Sequence, residues 1–118
     1  MQYLLLIYGD ESGRPAMTPE GLQQMSQAFG AYTEALKAAG ALIGGERLRP
    51  TSDATTVRVR DGKQQVLNGP YAETKEQLAG YYLIEAKDLD AALGWAARCP
   101  GASYGSMEVR PIWPMGEA

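Results

Sequence analysis

Histidine is absent from this 118-residue chain, and cysteine occurs once, as Cys99. Without imidazole groups, and with a single thiol, the chain lacks the usual ligands of a transition-metal site, so we expect no bound metal ion. Gly44-Gly45 lacks the spacing and the lysine of a phosphate-binding loop and is better interpreted as a bulge or a kink in a strand, so no cofactor is expected either. Cys99 falls at the end of a predicted helix, where we expect a small buried filler.

Positive charge and long apolar runs are also scarce. Eleven basic residues against 14 acidic ones give a net charge of −3, so the chain lacks the positive field that holds a phosphate backbone, and direct nucleic-acid binding is not expected. No apolar run approaches the roughly 20 residues that cross a bilayer, so no membrane segment is expected. One cysteine forms no internal disulfide, and no signal-peptide pattern is present. We therefore expect a soluble cytoplasmic protein in which residues 1–118 form a single domain.

The first half of the chain predicts a strand, a long helix and a second strand. Residues 3–8 form an unbroken apolar run that suits a strand buried on both faces. Thr18-Pro19-Glu20 starts a helix, because it offers a cap, a proline suited to the first turn and an acid at the positive end of the dipole. Gly40 ends this helix, and residues 41–48 form the next strand. One stripe of the helix carries Leu22, Met25, Phe29, Tyr32, Leu36 and Ala39.

The second half predicts a hairpin followed by a strand, a helix and a strand. Thr55–Arg60 is rich in β-branched residues, Asp61-Gly62 is a strong hairpin turn, and residues 64–67 return the chain. Residues 81–86 form a strand, Asp88 caps a second helix, and residues 106–112 form the last strand. The second helix is expected to bury Leu89, Ala92, Leu93 and Ala96. This order predicts an α+β ferredoxin-like sandwich with an inserted β-hairpin and both helices on one side of an antiparallel sheet.

The predicted sheet has apolar residues on both faces. The first strand carries Leu4 and Leu6 on one face and Tyr3, Leu5 and Ile7 on the other, and Tyr81 and Leu83 repeat the pattern. Helices cover only one face, which would leave an apolar patch of several hundred Å² facing water. We therefore expect a second copy to cover it, giving a homodimer of the dimeric α/β-barrel type. The alternative is that the inserted hairpin folds over the open face.

The segment 68–86 resembles the signature of the YCII-related proteins, specifically the bacterial branch named for an Asp-Gly-Pro-Phe motif, and reads Asn-Gly-Pro-Tyr-Ala-Glu-Thr-Lys-Glu-Gln-Leu-Ala-Gly-Tyr-Tyr-Leu-Ile-Glu-Ala. The resemblance continues through segments 8–11, 44–48, 95–100 and 107–112, so it covers almost the whole chain. It implies a ferredoxin-like, dimeric α/β-barrel fold and a cytoplasmic bacterial protein. Family members often lie beside genes for alternative sigma factors, which implies a regulatory association.

Two departures from the family pattern bear on chemistry. A His–Asp pair is the acid–base site suggested for some YCII-like proteins, and this chain has no histidine. Asn68 stands where the motif has Asp, and Tyr71 stands where it has Phe. Asparagine keeps the turn geometry but accepts no proton at ordinary pH, so position 68 is expected to serve structure more than catalysis.

The candidate site residues lie at strand ends and in the signature segment. We assign ligand binding to Tyr8, Glu46, Arg47, Asn68, Tyr71 and Lys75. A carboxylate near an arginine binds and polarises a small carbonyl or carboxylate compound, so a small anionic or aromatic ligand is expected. If the site is catalytic, Asp10 or Glu73 is the general base, with burial raising its pKa, and Arg47 steadies developing negative charge. The alternative is a structural ion pair between loops.

Three functional hypotheses remain open at this point. The favoured one is a non-catalytic or weakly ligand-binding dimer that assists a regulatory system, in association with an alternative sigma factor. The second is a small cofactor-free lyase or isomerase that resembles muconolactone isomerase and uses carboxylate acid–base chemistry, which rests on fold analogy. The third is a purely structural interaction module.

Overall fold

The computed structural model describes residues 1–117, except for the side chains of residues 14–16. Within these residues the elements are, in order, β1 (Gln2–Gly9), α1 (Pro19–Ala38), β2 (Leu42–Arg47), β3 (Thr55–Arg60), β4 (Lys63–Asn68), β5 (Gln77–Glu85), α2 (Leu89–Arg98), α3 (Gly101–Tyr104) and β6 (Ser106–Pro111). Two 3₁₀ turns, Glu11–Ala16 and Thr51–Asp53, follow β1 and precede β3. No helix among these residues is long and apolar enough to span a membrane.

Four strands form one antiparallel sheet in the order β2-β5-β1-β6, and β3 pairs with β4 as a separate hairpin. The first strand therefore lies inside the sheet, between two strands from the second half of the chain. Side chains of α1 and α2 pack against the same face of this sheet. The strand order and the placement of the helices are those of a ferredoxin-like sandwich, so the predicted α+β class is confirmed.

The core lies between the helices and one face of the sheet. Along β1, Tyr3, Leu5 and Ile7 are buried, whereas Leu4 and Leu6 between them are half-buried. This alternation follows from the opposite directions of successive side chains in a strand. The same core cluster contains Tyr32, Leu36, Ala41, Ile84, Ala86, Ala92, Ala96 and Cys99. The face with Tyr3 is thus the one that meets the helices, and Cys99 is a buried filler as predicted.

Two tyrosines in the core connect the layers through their hydroxyls. Tyr32 of α1 donates a hydrogen bond of 2.7 Å to the Trp95 carbonyl of α2. Tyr82 of β5 and Thr33 of α1 are hydrogen-bonded through their hydroxyls at 2.7 Å. Both phenols lie partly inside the core, where an unpaired hydroxyl would cost about 1–3 kcal/mol. These bonds therefore set how α1 lies on the sheet and on α2.

Local signals in the sequence are reproduced where a cap or a tight turn decides the conformation. Thr18 Oγ1 accepts from Gly21 N at 3.0 Å, and Asp88 Oδ1 accepts from Ala91 N at 2.9 Å, so both predicted caps are confirmed. The backbone at Asp61-Gly62 is left-handed at both positions, with φ of 53° and 73°. That pair of angles is the requirement of the tight hairpin turn predicted there.

Other elements differ from the sequence-based expectation. β5 begins at Gln77, four residues before the predicted start at 81, and α3 was not predicted. Leu89 and Leu93 were expected in the core, but they are 47% and 46% exposed. The buried stripe of α2 consists of small side chains, Ala92, Ala96 and Cys99, which let the helix approach the sheet closely. The two leucines therefore lie at the edges of this stripe.

The sheet is irregular in two places. On β2 the pairing with β5 shifts between Leu42 and Gly44, so Ile43 is the extra residue, one position before the Gly44-Gly45 pair where a bulge or a kink was predicted. On β5 the pairing with β1 shifts between Ile7 and Tyr8, and Ala79 is the extra residue. Bulges of this kind increase the local twist and redirect side chains. The second bulge lies at the end of β1 that carries Tyr8 and leads to Asp10.

The β3–β4 hairpin stands off from the sandwich. Every residue of β4 is exposed, and neither strand packs extensively on any other element described here. The radius of gyration is 16.4 Å, against about 13–14 Å for a compact chain of this length. The accessible surface of 8306 Å² exceeds the value for a compact monomer of this mass by roughly 2,000 Å². The alternative in which the hairpin covers the open face of its own sheet is therefore wrong.

The difference between buried and flanking leucines can be measured. Leu36→Ala removes a fully buried side chain and should lower the free energy of unfolding by about 2–5 kcal/mol. Leu93→Ala removes the same atoms from an edge position and should cost less than about 1 kcal/mol. Urea unfolding of both variants at one protein concentration provides the comparison. Equal losses would contradict this assignment of the core.

Candidate functional site

The face of the sheet without helices has an apolar centre between two carboxylates. Strand pairing aligns one row of Glu46, Tyr81, Leu6 and Glu108, and a second row of Gly44, Leu83, Leu4 and Arg110. We call Leu4, Leu6, Tyr81 and Leu83 the open-face patch. All four patch residues are only half-buried, and Glu108 forms an ion pair with Arg110 at one side. The patch is the second apolar face that the sequence predicts.

Two tyrosines lie toward one end of this face. Tyr81 belongs to the patch, and Tyr8 lies on the same face of β1, two residues beyond Leu6, where it pairs with Ser106 of β6. Both tyrosines are half-buried. A phenol ring offers an apolar surface and a polar tip that donates or accepts a hydrogen bond. We call Tyr8 and Tyr81 the tyrosine pair, and it gives this end of the face an aromatic wall.

Glu46 and Arg47 were grouped in sequence, but the structure separates them. Glu46 pairs with Tyr81 and shares its face, whereas Arg47 pairs with Gly80 and points to the opposite face of β2. Both side chains are exposed. A carboxylate and a guanidinium on opposite sides of one strand do not hold the same small ligand. Glu46 therefore joins the tyrosine pair, and Arg47 does not.

Sequence reasoning missed Glu11, which organises the loops at the end of β1. Its carboxylate accepts from Thr51 N at 2.8 Å and from Thr51 Oγ1 at 2.7 Å. Its own backbone N–H donates to Gln77 Oε1 at 2.9 Å. Three segments far apart in sequence therefore meet at one acid. Glu11 follows Asp10 directly, but nothing in its local sequence indicates a partner 40 residues away.

Asp10 is occupied by its own turn. Its Oδ1 accepts from the Ser12 hydroxyl at 2.6 Å and from Ser12 N at 2.9 Å. These two bonds, the hydroxyl first, lower the pKa of Asp10 from its ordinary value of 3.8, and Lys75 contributes in the same direction. The carboxylate is exposed. The burial and raised pKa expected of a general base are therefore not found here, because a neighbouring serine stabilises the ionised form.

The signature loop approaches the end of β1 through Lys75 and its neighbours. Gln77 Nε2 donates to the Thr74 carbonyl at 2.6 Å, and Ser106 Oγ donates to Glu76 Oε1 at 2.7 Å. These bonds hold residues 74–77 against the start of β6 and against Glu11. The structure thus brings Lys75 close enough to Asp10 for their charges to interact, which joins two of the predicted site residues.

The remaining candidates are spread along the hairpin and its exit. Asn68 ends β4 and pairs with Thr55, at the base of the hairpin. The next residue, Gly69, has a φ of 101°, which only glycine adopts readily. This supports the interpretation that the Asn68 turn is structural. Tyr71 is 79% exposed, and Glu73 is exposed in the same loop. No contact described here brings either one to the tyrosine pair.

The buried titratable groups do not supply acid–base chemistry. Burial raises the pKa of Tyr32, of Tyr82 and of the Cys99 thiol, so all three are neutral near pH 7. Over the described part of the chain no charged side chain is buried. No group of three His, Cys, Asp or Glu residues there is placed to hold a metal ion. The row of Tyr81 carries the exposed carboxylate of Glu46 at one end and the half-buried carboxylate of Glu108, paired with Arg110, at the other.

A separate open cleft lies at the other end of the molecule. It has a volume of about 740 Å³ and is lined by Met1, Gln2, Pro111, Ile112, Trp113, Pro114 and Glu117. None of the predicted site residues belongs to it. Its walls come from the chain ends, and its one ionisable side chain is Glu117. The cleft therefore gives no support to the predicted chemistry.

The sequence matches a known domain family over nearly its whole length. The model of the YCII-related domain matches residues 1–116. This chain belongs to the YCII-related family. An uncharacterised protein of Rhizobium meliloti (strain 1021) is 42% identical over 114 residues, which are 95% of this chain and 92% of the relative. The predicted family is confirmed, and the Asp-Gly-Pro-Phe branch stays a prediction.

A solved structure shares the fold of this YCII-related chain. It is 5-chloro-2-hydroxyhydroquinone dehydrochlorinase (TftG) from Burkholderia phenoliruptrix AC1100, in complex with 2,5-dihydroxybenzoquinone. The TM-score is 0.56 at 17% sequence identity, over 98% of this chain and 96% of the other. At this identity the similarity is evidence for the fold alone. It agrees with the α+β sandwich described above.

The acidity of Asp10 in this YCII-related protein should depend on Ser12. In Ser12→Ala the hydroxyl donor is lost while the backbone donor stays, so the pKa of Asp10 should rise toward 3.8. An NMR titration of the side-chain carboxyl carbon measures it. Because the folded pKa is lowered, the bond stabilises the fold above the unfolded pKa, and this stabilisation is lost as pH falls through the folded pKa. An unchanged pKa in the variant would show that another group controls Asp10.

Proposed function

We propose that this protein is a homodimer whose two sheets pack face to face, and that it binds a small hydroxylated aromatic or anionic molecule beside the tyrosine pair. The observation that carries the proposal is the open-face patch together with the tyrosines and the carboxylate at its end. The family and the structural neighbour are consistent with a role in binding small molecules.

The surface of the chain supports the dimer. The open-face patch lies in the middle of the sheet, where water meets four large apolar side chains. A second copy that presents the same patch covers it through one two-fold axis. The dimeric α/β barrel follows if the two sheets meet in this way.

The chemistry at the end of the open face supports the ligand class. Tyr8 and Tyr81 offer aromatic surface, and Glu46 lies in the same row as Tyr81, where it accepts a hydrogen bond from a ring hydroxyl. Lys75, near Asp10, attracts a negative charge. The neighbour TftG binds 2,5-dihydroxybenzoquinone, a ring with hydroxyl and carbonyl groups. Tyr8, Glu46 and Lys75 are therefore the ligand-binding candidates that we favour, ahead of Arg47, Asn68 and Tyr71.

A second candidate function is a cofactor-free lyase or isomerase. The observation in its favour is that the solved neighbour with the same fold is a dehydrochlorinase. In this chain Asp10 or Glu73 would be the base. A lowered pKa makes Asp10 a weaker base, and Glu73 is exposed in the signature loop. Binding without turnover is therefore the preferred proposal.

The hypothesis favoured from the sequence also includes a regulatory role. The family resemblance implies an association with alternative sigma factors, and the same resemblance implies a cytoplasmic location. No surface or contact described above favours a sigma factor over another protein. The sigma-factor association and the cytoplasmic location stay predictions. The remaining hypothesis, a purely structural interaction module, would require that no small molecule binds.

A charge placed in the open-face patch should separate the dimer. Leu6→Lys should raise the dimer dissociation constant at least about 100-fold, because it buries an ammonium group whose neighbour Glu108 is already paired with Arg110. Sedimentation equilibrium at micromolar concentration measures the constant, and circular dichroism checks the fold. The control is Leu93→Lys, on the outer flank of α2 and 46% exposed, which should leave the constant within about twofold. A monomeric wild-type protein would contradict the dimer.

Ligand binding should depend on the tyrosine pair. With 2,5-dihydroxybenzoquinone as the probe, Tyr8→Ala should weaken binding roughly 2- to 12-fold, since an aromatic pair contributes about 0.5–1.5 kcal/mol. Isothermal titration calorimetry measures the affinity. Tyr104→Ala, which removes a ring that is 62% exposed on α3, is the control and should bind like wild type.

Two outcomes of the binding experiment decide between the functional candidates. No heat with the probe, together with no small adduct in native mass spectra of protein purified gently from its own cells, would contradict ligand binding. Chemical conversion of a bound compound that is lost in Asp10→Asn or Glu73→Gln, with binding intact, would instead favour the lyase or isomerase.

A further inference from the structure

The β3–β4 hairpin is exposed, and neither the ligand site nor the open-face patch explains why the chain carries it. We propose that it is an arm whose valine face packs against a second copy of this chain. The valine face consists of Val57, Val59 and Val66. This inference rests on the dimer proposed above, but it does not require that the two open faces meet.

The hairpin is amphipathic although it touches little of its own chain. Val57 lies directly opposite Val66, and Val59 is on the same face of β3. These side chains are 57%, 56% and 59% exposed. The other face carries Arg58, Arg60 and Lys63 toward the tip and Leu67, opposite Thr56, toward the base. One face is therefore suited to solvent, and the other is suited to contact with protein.

An isolated two-stranded hairpin is marginally stable in water, so this arm requires a cover. The chain nevertheless supports its formation at both ends. The left-handed backbone at Asp61-Gly62 closes the tip. At the base, Gly69 N donates to the Ala54 carbonyl at 2.7 Å, and Thr56 Oγ1 donates to the Gly69 carbonyl at 2.9 Å. A structure that is specified this well and left uncovered is typical of an element completed by a partner.

The direction of the arm is set by contacts with the body. The bonds from Thr51 to Glu11 hold the segment just before β3 against the end of β1. Because the hairpin base begins three residues after Thr51, the arm leaves the sandwich at a fixed place. The molecule measures 48 by 47 Å in two directions but only 19 Å in the third. The hairpin is thus held out from the body, where a second copy can meet it.

Charge favours a second copy over an unrelated protein. Arg58, Arg60 and Lys63 against Asp61 give the hairpin a net charge of +2, so the rest of the chain, within a total of −3, carries −5. Two copies that place each arm beside the partner's body therefore attract each other at long range through their opposite net charges. The basic face stays toward solvent and steers the encounter, which makes association slower at high salt.

The test keeps the hairpin intact while it removes the apolar face. The triple variant Val57→Thr, Val59→Thr and Val66→Thr preserves side-chain shape and strand preference. It should raise the dimer dissociation constant roughly 10- to 100-fold. Leu67→Thr makes the same kind of change on the basic face and should leave the constant within about twofold. Sedimentation equilibrium measures the dissociation constants. Amide hydrogen exchange of β3 and β4 is measured at protein concentrations above and below the wild-type dissociation constant.

Each outcome separates the arm from the sheet-face dimer. Loss of dimer and of hairpin protection in the triple variant alone supports the arm. A triple variant with an unchanged constant, while Leu6→Lys dissociates, overturns the arm and leaves the sheet-face dimer. The reverse result overturns the sheet-face dimer and keeps the arm. A monomeric wild-type protein overturns both, and an equal effect of Leu67→Thr overturns the valine face as the contact surface.

Discussion

The two central strands, β1 and β5, carry apolar side chains on both faces. The need to cover these two faces explains how the other elements are arranged. The helices cover the face with Tyr3, Leu5 and Ile7, and small residues in α2 let that cover lie close. The other face, with Leu4, Leu6, Tyr81 and Leu83, has no such cover within the chain. A sheet that is apolar on both sides needs two partners. The helices of the same chain are one of them, and we propose that a second copy of the chain is the other.

Sequence patterns predicted those parts of the fold that depend on neighbouring residues. The caps at Thr18 and Asp88 and the turn at Asp61-Gly62 need only a few consecutive residues, and the structure has them where the sequence indicates. The start of β5 was missed because its strand character begins next to a bulge, at Ala79, that the sequence does not mark. The sequence pattern also does not predict where the hairpin lies, because periodicity indicates which face of a strand is apolar but not which element covers that face.

Some parts of the candidate site can likewise be predicted from the sequence, and others require the folded chain. Tyr8 was predicted from its place at a strand end, whereas the pairing of β1 with β5, which alternation does not indicate, brings Tyr81 to the same face. The separation of Glu46 from Arg47 follows from the same alternation once β2 is known to contain both. The acidity of Asp10 depends on a hydroxyl two residues away, and Glu11 depends on Thr51, 40 residues away. The first could have been read as a local turn, whereas the second requires the folded chain.

The place of β1 in the sheet also orders the events of biosynthesis. Its two neighbours, β5 and β6, begin at Gln77 and Ser106. Because chains are made at about 5–20 residues per second, roughly 3 to 14 s pass between the end of β1 and the start of β5. The β3–β4 hairpin needs only local contacts and forms in about 1–10 μs. Until β5 is synthesised, β1, which is the most apolar strand of the nascent chain, has no partner within the sheet. The ribosome-bound state, more than the finished protein, is therefore where this topology is exposed to aggregation and to chaperones.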